Sequence, residues 1–190
     1  MRLGIFGGTF DPPHLGHLIV ASDACEALAL DRLIFVPAAE PPHKRGQVIT
    51  PAEQRLEMVR AAIRGDPRLE VDDLELRREG PSYSVDTLRV YRERYPDAEL
   101  FFLIGVDQMR EFGSWREPEE VARLACLSVM TRDGESPAPD TPFPHRLVPV
   151  TRIDVSATDI RTRVREGRSV RYLVPEAVRR RIEGWGLYAQ

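Results

Sequence analysis

The sequence predicts a doubly wound α/β fold, in which a mostly parallel sheet carries helices on both faces. Short apolar segments alternate along the chain with segments whose apolar residues recur every three or four positions, as in amphipathic helices. Residues 100–104 are all apolar, which is typical of a parallel strand buried on both faces. Alternating strands and helices favour a parallel sheet with right-handed crossovers.

Six strands and six helices are expected. The strands are predicted at residues 3–6, 33–36, 69–71, 100–104, 127–130 and 147–150. The helices are predicted at residues 15–30, 51–64, 84–95, 117–125, 158–166 and 175–184. The last two helices form a small helical extension over roughly residues 156–190, and the proline-rich residues 133–145 indicate a loop. All 190 residues are expected to form a single domain.

Composition and charge narrow the class of protein. An apolar fraction of 42% and a charged fraction of 30% are typical of a soluble globular domain. The net charge of −3 argues against a broad nucleic-acid-binding surface. We expect neither a signal peptide nor a membrane span. Cys25 and Cys126 do not indicate a disulfide framework, so a cytoplasmic location is expected. The oligomeric state cannot be predicted from this sequence.

The most informative segment follows the first predicted strand. There Gly7 and Gly8 allow a tight turn, and a helix begins near His14 and His17. A helix N-terminus presents free backbone N–H groups and the positive end of the helix dipole, so this junction is suited to an anion. The two imidazoles, three positions apart, face the same place and indicate phosphate chemistry. Zinc ligation and unconnected surface histidines are the alternatives, but zinc would need a third protein ligand.

Residues 8–17 resemble the G-x-F-D-P-x-H-x-G-H signature of the nucleotidylyltransferase superfamily. Members of that superfamily join a nucleotide from ATP or CTP to a phosphate-bearing acceptor. The resemblance implies a Rossmann-like sheet and, for Thr9, contact with both ATP and the acceptor. The ATP contacts that it implies in this segment come from Gly7, Gly8, Thr9, Phe10, His14 and His17.

Residues 155–161 carry a second pattern, Val-Ser-Ala-Thr-Asp-Ile-Arg. As local structure it predicts a capping box, with Ser156 at the N-cap and Asp159 three residues later. It also resembles the second superfamily signature, I-S-S-T-x-I-R. That resemblance implies that Ser156, Thr158 and Arg161 bind the β- and γ-phosphates of ATP, while Ala157 lacks one hydroxyl of the usual motif.

The loop at residues 37–44 follows the second predicted strand. Its prolines are consistent with a stiff surface loop, but His43 and Lys44 also form a cationic cluster suited to the phosphate of an acceptor mononucleotide. The string P-P-H-K is similar to that of bacterial nicotinate-mononucleotide adenylyltransferases. Pantetheine-phosphate adenylyltransferases, a sister family, usually lack it.

Residues 80–88 read as a turn that enters a helix capped by Ser82 or Ser84. They also resemble the S-Y-T-x-D-T-L segment of the nicotinate-mononucleotide family. This resemblance implies that Ser84 helps to hold the nicotinate carboxylate.

Residues 102–108, followed by Trp115, match the G-x-D…W pattern of the same family. The match implies adenosine contacts from Gly105 and Asp107. It also implies that Trp115 stacks on the nicotinate ring and that the carboxylate meets backbone N–H groups near Arg116. An acidic residue at a helix N-terminus and a tryptophan in the core are the ordinary alternatives for Asp107 and Trp115.

Together these resemblances imply that ATP and nicotinate mononucleotide react to give deamido-NAD and pyrophosphate. The expected catalytic residues are His14, His17 and Arg161, acting by in-line transfer without a covalent intermediate. Mg²⁺ is expected to bridge phosphate oxygens without an all-protein metal cage. Nicotinamide mononucleotide and 4′-phosphopantetheine stay open as acceptors, and a catalytically silent nucleotide-binding module is the alternative from another class. No nucleic-acid or membrane partner is expected.

Overall fold

A computed structural model describes residues 1–41, 49–131 and 141–189. Each of the six predicted strands is present. They are β1 (Arg2–Gly8), β2 (Arg32–Pro37), β3 (Leu69–Val71), β4 (Glu99–Gly105), β5 (Cys126–Thr131) and β6 (His145–Pro149). The helices are α1 (Leu15–Ala27), α2 (Ala52–Ala62), α3 (Ser84–Arg94), α4 (Val106–Glu111), α5 (Pro118–Leu124), α6 (Ala157–Arg165) and α7 (Glu176–Gly184), with a 3₁₀ turn at Phe112–Ser114.

The strands form one sheet in the order β3-β2-β1-β4-β5-β6. Every neighbouring pair is parallel. The register is continuous across the centre, since Ile5 of β1 lies beside Ile34 of β2 and beside Phe102 of β4. The predicted α/β class is therefore confirmed.

Alternate residues of the central strands pack on opposite faces of the sheet, as the two-residue period of a strand requires. Ile5 belongs to a cluster that includes Leu88 of α3 and Val121 of α5. The next residue, Phe6, belongs to a second cluster that includes Val20 of α1 and Val59 of α2. Helices thus cover both faces, which makes the fold doubly wound.

The C-terminal helices pack against α2 on the outside of this arrangement. Met58 of α2 shares a third apolar cluster with Ile160 of α6 and with Val178 of α7. Arg181 of α7 also forms an ion pair with Glu57 of α2, with 2.6 Å between Nη2 and Oε1. The helical extension is present, and the division of the chain as a single domain stays a prediction. Across the described ranges, no helix has both the length and the apolar character needed to cross a membrane.

The structure corrects three details of the predicted elements. Helix α1 ends at Ala27 rather than near residue 30, because Ala29 adopts a left-handed conformation with φ of +46°. Helix α4 and the 3₁₀ turn were not predicted, because segments this short show little helical periodicity. Strand β6 begins at His145, inside the segment that was expected to be a loop.

Candidate active site

The candidate site lies at the carboxyl ends of β1 and β4. The sheet winds from β1 towards β3 on one side and from β4 towards β6 on the other, so its direction reverses between these two strands. Open parallel sheets bind ligands at such a switch point. A cavity of about 440 Å³ opens there, which is a typical size for a small-molecule site. The predicted residues that line this cavity are Gly7, Gly8, Thr9, Ser84, Trp115 and Arg116.

The turn after β1 is shaped by Gly8 and Phe10. A Cβ atom at Gly8 would lie 2.8 Å from Cζ of Phe10, so no other residue fits here without movement of that ring. Phe10 itself has a φ of +50° and is 3% exposed. Its ring packs edge-on against His17, with 5.0 Å between the centroids. Contact between Phe10 and ATP would therefore involve its backbone, while its side chain supports the turn.

His14 and His17 stand together at the start of α1. Their rings are stacked with 3.7 Å between centroids, and the backbone N–H of His14 donates to Nδ1 of His17 at 3.1 Å. Because Nδ1 of His17 accepts this bond, the proton of the neutral ring lies on Nε2. In this tautomer Nε2 of His17 carries the N–H and can donate a hydrogen bond to a phosphate oxygen.

The start of α6 joins the second sequence pattern to the first. Ser156 is the N-cap, as predicted, and its Oγ accepts from the N–H of Asp159 at 3.1 Å. Arg161 donates through Nη1 to the backbone oxygen of Asp11 at 2.9 Å and through Nη2 to Oγ1 of Thr158 at 3.1 Å. The guanidinium of Arg161 is thus held between the two segments that were predicted to bind phosphates.

Trp115 forms part of the wall of the cavity on the β4 side. Its ring packs against Phe112 with 5.3 Å between centroids and edge-on against Phe102 with 6.2 Å. Its side chain is only partly buried, and it lies in the cavity lining. The aromatic neighbours fix the plane of the indole, which leaves Trp115 suited to stacking on a flat ring.

Tyr83 and Arg116 complete this end of the cavity. The guanidinium carbon of Arg116 lies 4.7 Å from the centroid of the Tyr83 ring, a cation–π distance. Tyr83 is also the N-cap of α3, so the prediction that Ser82 or Ser84 caps this helix is wrong. Oγ of Ser82 instead accepts hydrogen bonds from the backbone N–H groups of Ala39 and Glu40, at 3.0 and 3.3 Å.

A buried carboxylate, Glu75, was missed by the sequence analysis. It lines the cavity although it is only 6% exposed, and it accepts a hydrogen bond of 2.6 Å from the hydroxyl of Thr87. Burial raises the pKa of Glu75, and the hydroxyls of Thr87 and Ser82 oppose this rise because they stabilise the ionised form. No sequence motif indicates Glu75, because its place in the cavity depends on how its segment packs against α3, which carries Thr87.

Gly105 and Asp107 lie where β4 passes into α4. Gly105 is the N-cap of α4, and its N–H donates to Oε1 of Gln108 at 2.9 Å. The side chain of Asp107 is 94% exposed and forms an ion pair with Arg110 at 2.7 Å. Adenosine binding by Gly105 and Asp107 stays a prediction, with Asp107 facing solvent beside the strand end.

The remaining predicted residues are placed as follows. His14, His17, Ser156, Thr158 and Arg161 lie around the starts of α1 and α6 and do not line the cavity. Residues 42–48, which include His43 and Lys44, lie outside the described residues.

Comparison with known proteins identifies the family. The model of the Cytidylyltransferase-like family matches residues 5–163. A protein of Thermus thermophilus named a probable nicotinate-nucleotide adenylyltransferase is 50% identical over 99% of this chain and 100% of its own length. One of the same name from Exiguobacterium sibiricum is 46% identical over the whole of both chains.

Solved structures share the fold. Nicotinic acid mononucleotide adenylyltransferase of Plasmodium falciparum, solved in complex with NaAD, has a TM-score of 0.82 and 18% identity, over 99% of this chain and 97% of its own. A putative nicotinate-nucleotide adenylyltransferase of Vibrio parahaemolyticus has a TM-score of 0.74 and 23% identity, over 100% of this chain and 97% of its own. With both motifs, the switch-point cavity and near full-length relatives in agreement, this chain belongs to the nicotinate-nucleotide adenylyltransferase family of cytidylyltransferase-like proteins.

Proposed function

We propose that this enzyme transfers the AMP moiety of ATP to nicotinate mononucleotide, a step of NAD biosynthesis. The products are nicotinate adenine dinucleotide, also called deamido-NAD, and pyrophosphate. The observation that carries the proposal is the cavity that Trp115, Tyr83 and Arg116 line together with the Gly7–Gly8–Thr9 turn. The names of the near full-length relatives support the same reaction.

The chemistry requires positioning more than acid–base catalysis. An oxygen of the acceptor phosphate forms a bond to the α-phosphorus of ATP, while the bond from that phosphorus to the bridging oxygen of the β-phosphate breaks. The acceptor phosphate is already anionic near neutral pH, so no side chain has to remove a proton from it. Holding the two reactants in line can lower the barrier by about 7–11 kcal/mol.

The charged and polar groups around the starts of α1 and α6 have defined roles in this proposal. His14 and His17 stabilise charge on the transferring and departing phosphates, with Nε2 of His17 donating a hydrogen bond. Arg161, together with Ser156 and Thr158, holds the pyrophosphate that leaves. His43 and Lys44 steer the phosphate of the acceptor.

The acceptor base lies in the cavity beside Trp115. Trp115 stacks on the pyridine ring, and the N–H groups near Ser84 and Arg116 bind the carboxylate. Arg116 adds positive charge to this end of the cavity, which favours nicotinate over the uncharged amide.

A divalent cation, Mg²⁺, accompanies ATP in this proposal and neutralises charge on the phosphates. In the part of the chain that the structure describes, no group of three or more His, Cys, Asp or Glu side chains is arranged to hold a metal ion. The site instead offers Arg161, two imidazoles and two helix N-termini. These groups would hold the phosphates, and a divalent cation bound with ATP would supply further positive charge there.

The location and partners predicted from composition stay predictions. They are a cytoplasmic location and the absence of a nucleic-acid or membrane partner. ATP and nicotinate mononucleotide are implied as substrates by the family resemblance, and the names of the near full-length relatives support them. Cys25 and Cys126 are both free thiols.

The direct test is pyrophosphate release from ATP and Mg²⁺ with three acceptors offered in parallel. The proposal predicts turnover with nicotinate mononucleotide at least about tenfold above that with nicotinamide mononucleotide, which is about 1.4 kcal/mol. Equal use of both would retain the transferase and reject the account of the carboxylate site. Turnover with 4′-phosphopantetheine alone would place the enzyme in the sister family, and nucleotide binding without turnover would indicate a silent module.

A further inference from the structure

Arg55 is a buried arginine for which the proposed chemistry has no role. It lies in the first turns of α2 and is 1% exposed. Burial lowers the pKa of its guanidinium, and the nearby carboxylates of Asp11 and Glu75 counteract that effect. An arginine keeps its charge at neutral pH even so. A buried charged side chain destabilises the folded protein unless its hydrogen-bond donors are satisfied.

The guanidinium of Arg55 makes hydrogen bonds to three backbone carbonyls in three different segments. Nη1 donates to the oxygen of Thr9 at 2.7 Å, Nε donates to that of Thr50 at 2.8 Å, and Nη2 donates to that of Ala39 at 3.3 Å. Thr9 belongs to the turn after β1, Ala39 to the loop after β2, and Thr50 to the entry of α2. One planar group therefore fixes these segments relative to one another.

The connection continues from Ala39 to the acceptor end of the cavity. The N–H of Ala39 donates to Oγ of Ser82, which immediately precedes Tyr83 and Ser84. The hydroxyl of Ser82 also lowers the pKa of the buried carboxyl of Glu75, because it stabilises the ionised form. A continuous series of hydrogen bonds thus runs from the phosphate turn, through Arg55 and the loop after β2, to the wall that faces the acceptor base.

We propose that Arg55 is a positioning residue that sets the distance between the ATP phosphate turn and the acceptor wall. This inference rests on the proposed function, since in-line transfer needs the acceptor oxygen and the α-phosphorus at one defined separation. A lysine cannot replace the arginine in this role, because its single ammonium lacks the planar fork that reaches several carbonyls at once. Arg55 does not line the cavity and acts through the three backbone segments that it binds.

The chain offers a matched control in Arg92. This arginine of α3 also binds backbone carbonyls, those of Ala98 at 2.8 Å, Leu124 at 2.7 Å and Pro96 at 3.4 Å. It lies near the amino ends of β4 and β5, at the edge of the sheet away from the cavity. Arg55→Lys and Arg92→Lys therefore make the same chemical change, one beneath the site and one remote from it.

The experiment measures kcat, both KM values, thermal unfolding and amide hydrogen exchange for the two variants. We expect R55K to lower kcat at saturating substrates by about 10- to 100-fold, the cost of a displacement of about 1 Å. Exchange should accelerate at residues 8–10 and 38–40. R92K should lower Tm but keep kcat within about twofold of the unchanged enzyme. A kcat for R55K within about twofold of the unchanged enzyme, or an equal loss in R92K, would overturn the proposal.

Two further arms keep the outcome decisive. If R55K does not fold, Ser82→Ala breaks the same series at its next step. S82A should then lower kcat and accelerate exchange at residues 38–40, and unchanged values of both would overturn the proposal. If the unchanged enzyme releases no pyrophosphate, the proposed function fails by itself. Exchange in R55K would still decide whether Arg55 fixes the two loops, because that measurement needs no activity.

Discussion

The hydroxyl of Tyr188 donates a hydrogen bond of 2.7 Å to Oδ1 of Asp11, which lies 177 residues earlier in the chain. Asp11 belongs to the first nucleotide-binding motif and is 6% exposed. Its other carboxylate oxygen accepts from the N–H of Thr50 at 3.3 Å, and its backbone oxygen accepts from Arg161. Tyr188, near the C-terminus, therefore helps to fix the segment after β1 that contains Asp11.

Removal of this hydroxyl should destabilise the protein. In Tyr188→Phe, a buried carboxylate oxygen loses its partner, so we expect the free energy of unfolding to fall by about 1.5–3 kcal/mol. Urea denaturation measures this loss. Tyr172→Phe is the control, because Tyr172 is 81% exposed, and its effect should stay within about 0.5 kcal/mol. Equal effects of the two substitutions would mean that the bond to Asp11 contributes nothing.

Two substitutions at His17 should separate its two ring nitrogens. In His17→Asn, the amide oxygen can replace Nδ1 as acceptor for the N–H of His14, but nothing replaces Nε2. We therefore expect near-normal stability and a kcat lower by about 10²- to 10³-fold, as for the loss of one donor to a developing charge. His17→Gln places an amide near the position of Nε2. It should therefore retain more activity than H17N but be less stable than H17N. Normal turnover of H17N would contradict a role for Nε2 in phosphate transfer.

Loss of the indole at Trp115 should affect one substrate only. In Trp115→Ala, one ring stack worth about 1–3 kcal/mol is lost, so the KM for nicotinate mononucleotide should rise. The KM for ATP should stay unchanged. Trp185→Ala is the control, because Trp185 is 40% exposed and lies in the C-terminal segment. Initial rates with each substrate varied in turn check the prediction. A higher KM for ATP alone would mean that Trp115 contacts the other nucleotide.

The buried carboxyl of Glu75 should make stability depend on pH. Its pKa in the folded protein is raised above the ordinary value of 4.5, chiefly by burial. The resulting stabilisation is complete below that ordinary value and is lost as the pH rises through the folded pKa. The stability of the unchanged protein relative to Glu75→Gln should therefore fall as the pH rises from below 4.5 towards neutrality.

Urea denaturation of both proteins over this pH range gives the difference. The glutamine replaces one carboxylate oxygen by an NH2 group, which adds a cost that does not vary with pH. Only the slope is therefore informative. A difference that is constant, or that grows with pH, would contradict a raised pKa for Glu75.

Much of the fold could be predicted because its signals are local. The apolar segments of β1 and β4 identify strands, and the periodic apolar residues of α3 identify a helix, without knowledge of their partners. The capping role of Ser156 was predicted on the same basis. The short α4 has no such signal, because six residues complete fewer than two helical turns.

The part of the site that could not be predicted depends on contacts between distant segments. Arg55 and Glu75 stand in ordinary amphipathic or acidic stretches. Only the folded chain shows that Arg55 is buried and that Glu75 is a buried residue of the cavity lining. Ser82 was expected to cap α3, but the N–H groups of Ala39 and Glu40 compete for its oxygen. The partner of Tyr188 lies at the other end of the sequence, and no local pattern indicates it.

The stereochemical course at the α-phosphorus tests the central claim most directly. The enzyme would be given nicotinate mononucleotide and ATP carrying a single sulfur on the α-phosphate, in one configuration. In-line transfer between two bound substrates predicts that the dinucleotide product forms with inverted configuration, because the acceptor oxygen attacks opposite the departing pyrophosphate. Retained configuration would show two successive displacements through a covalent enzyme intermediate and would contradict this account.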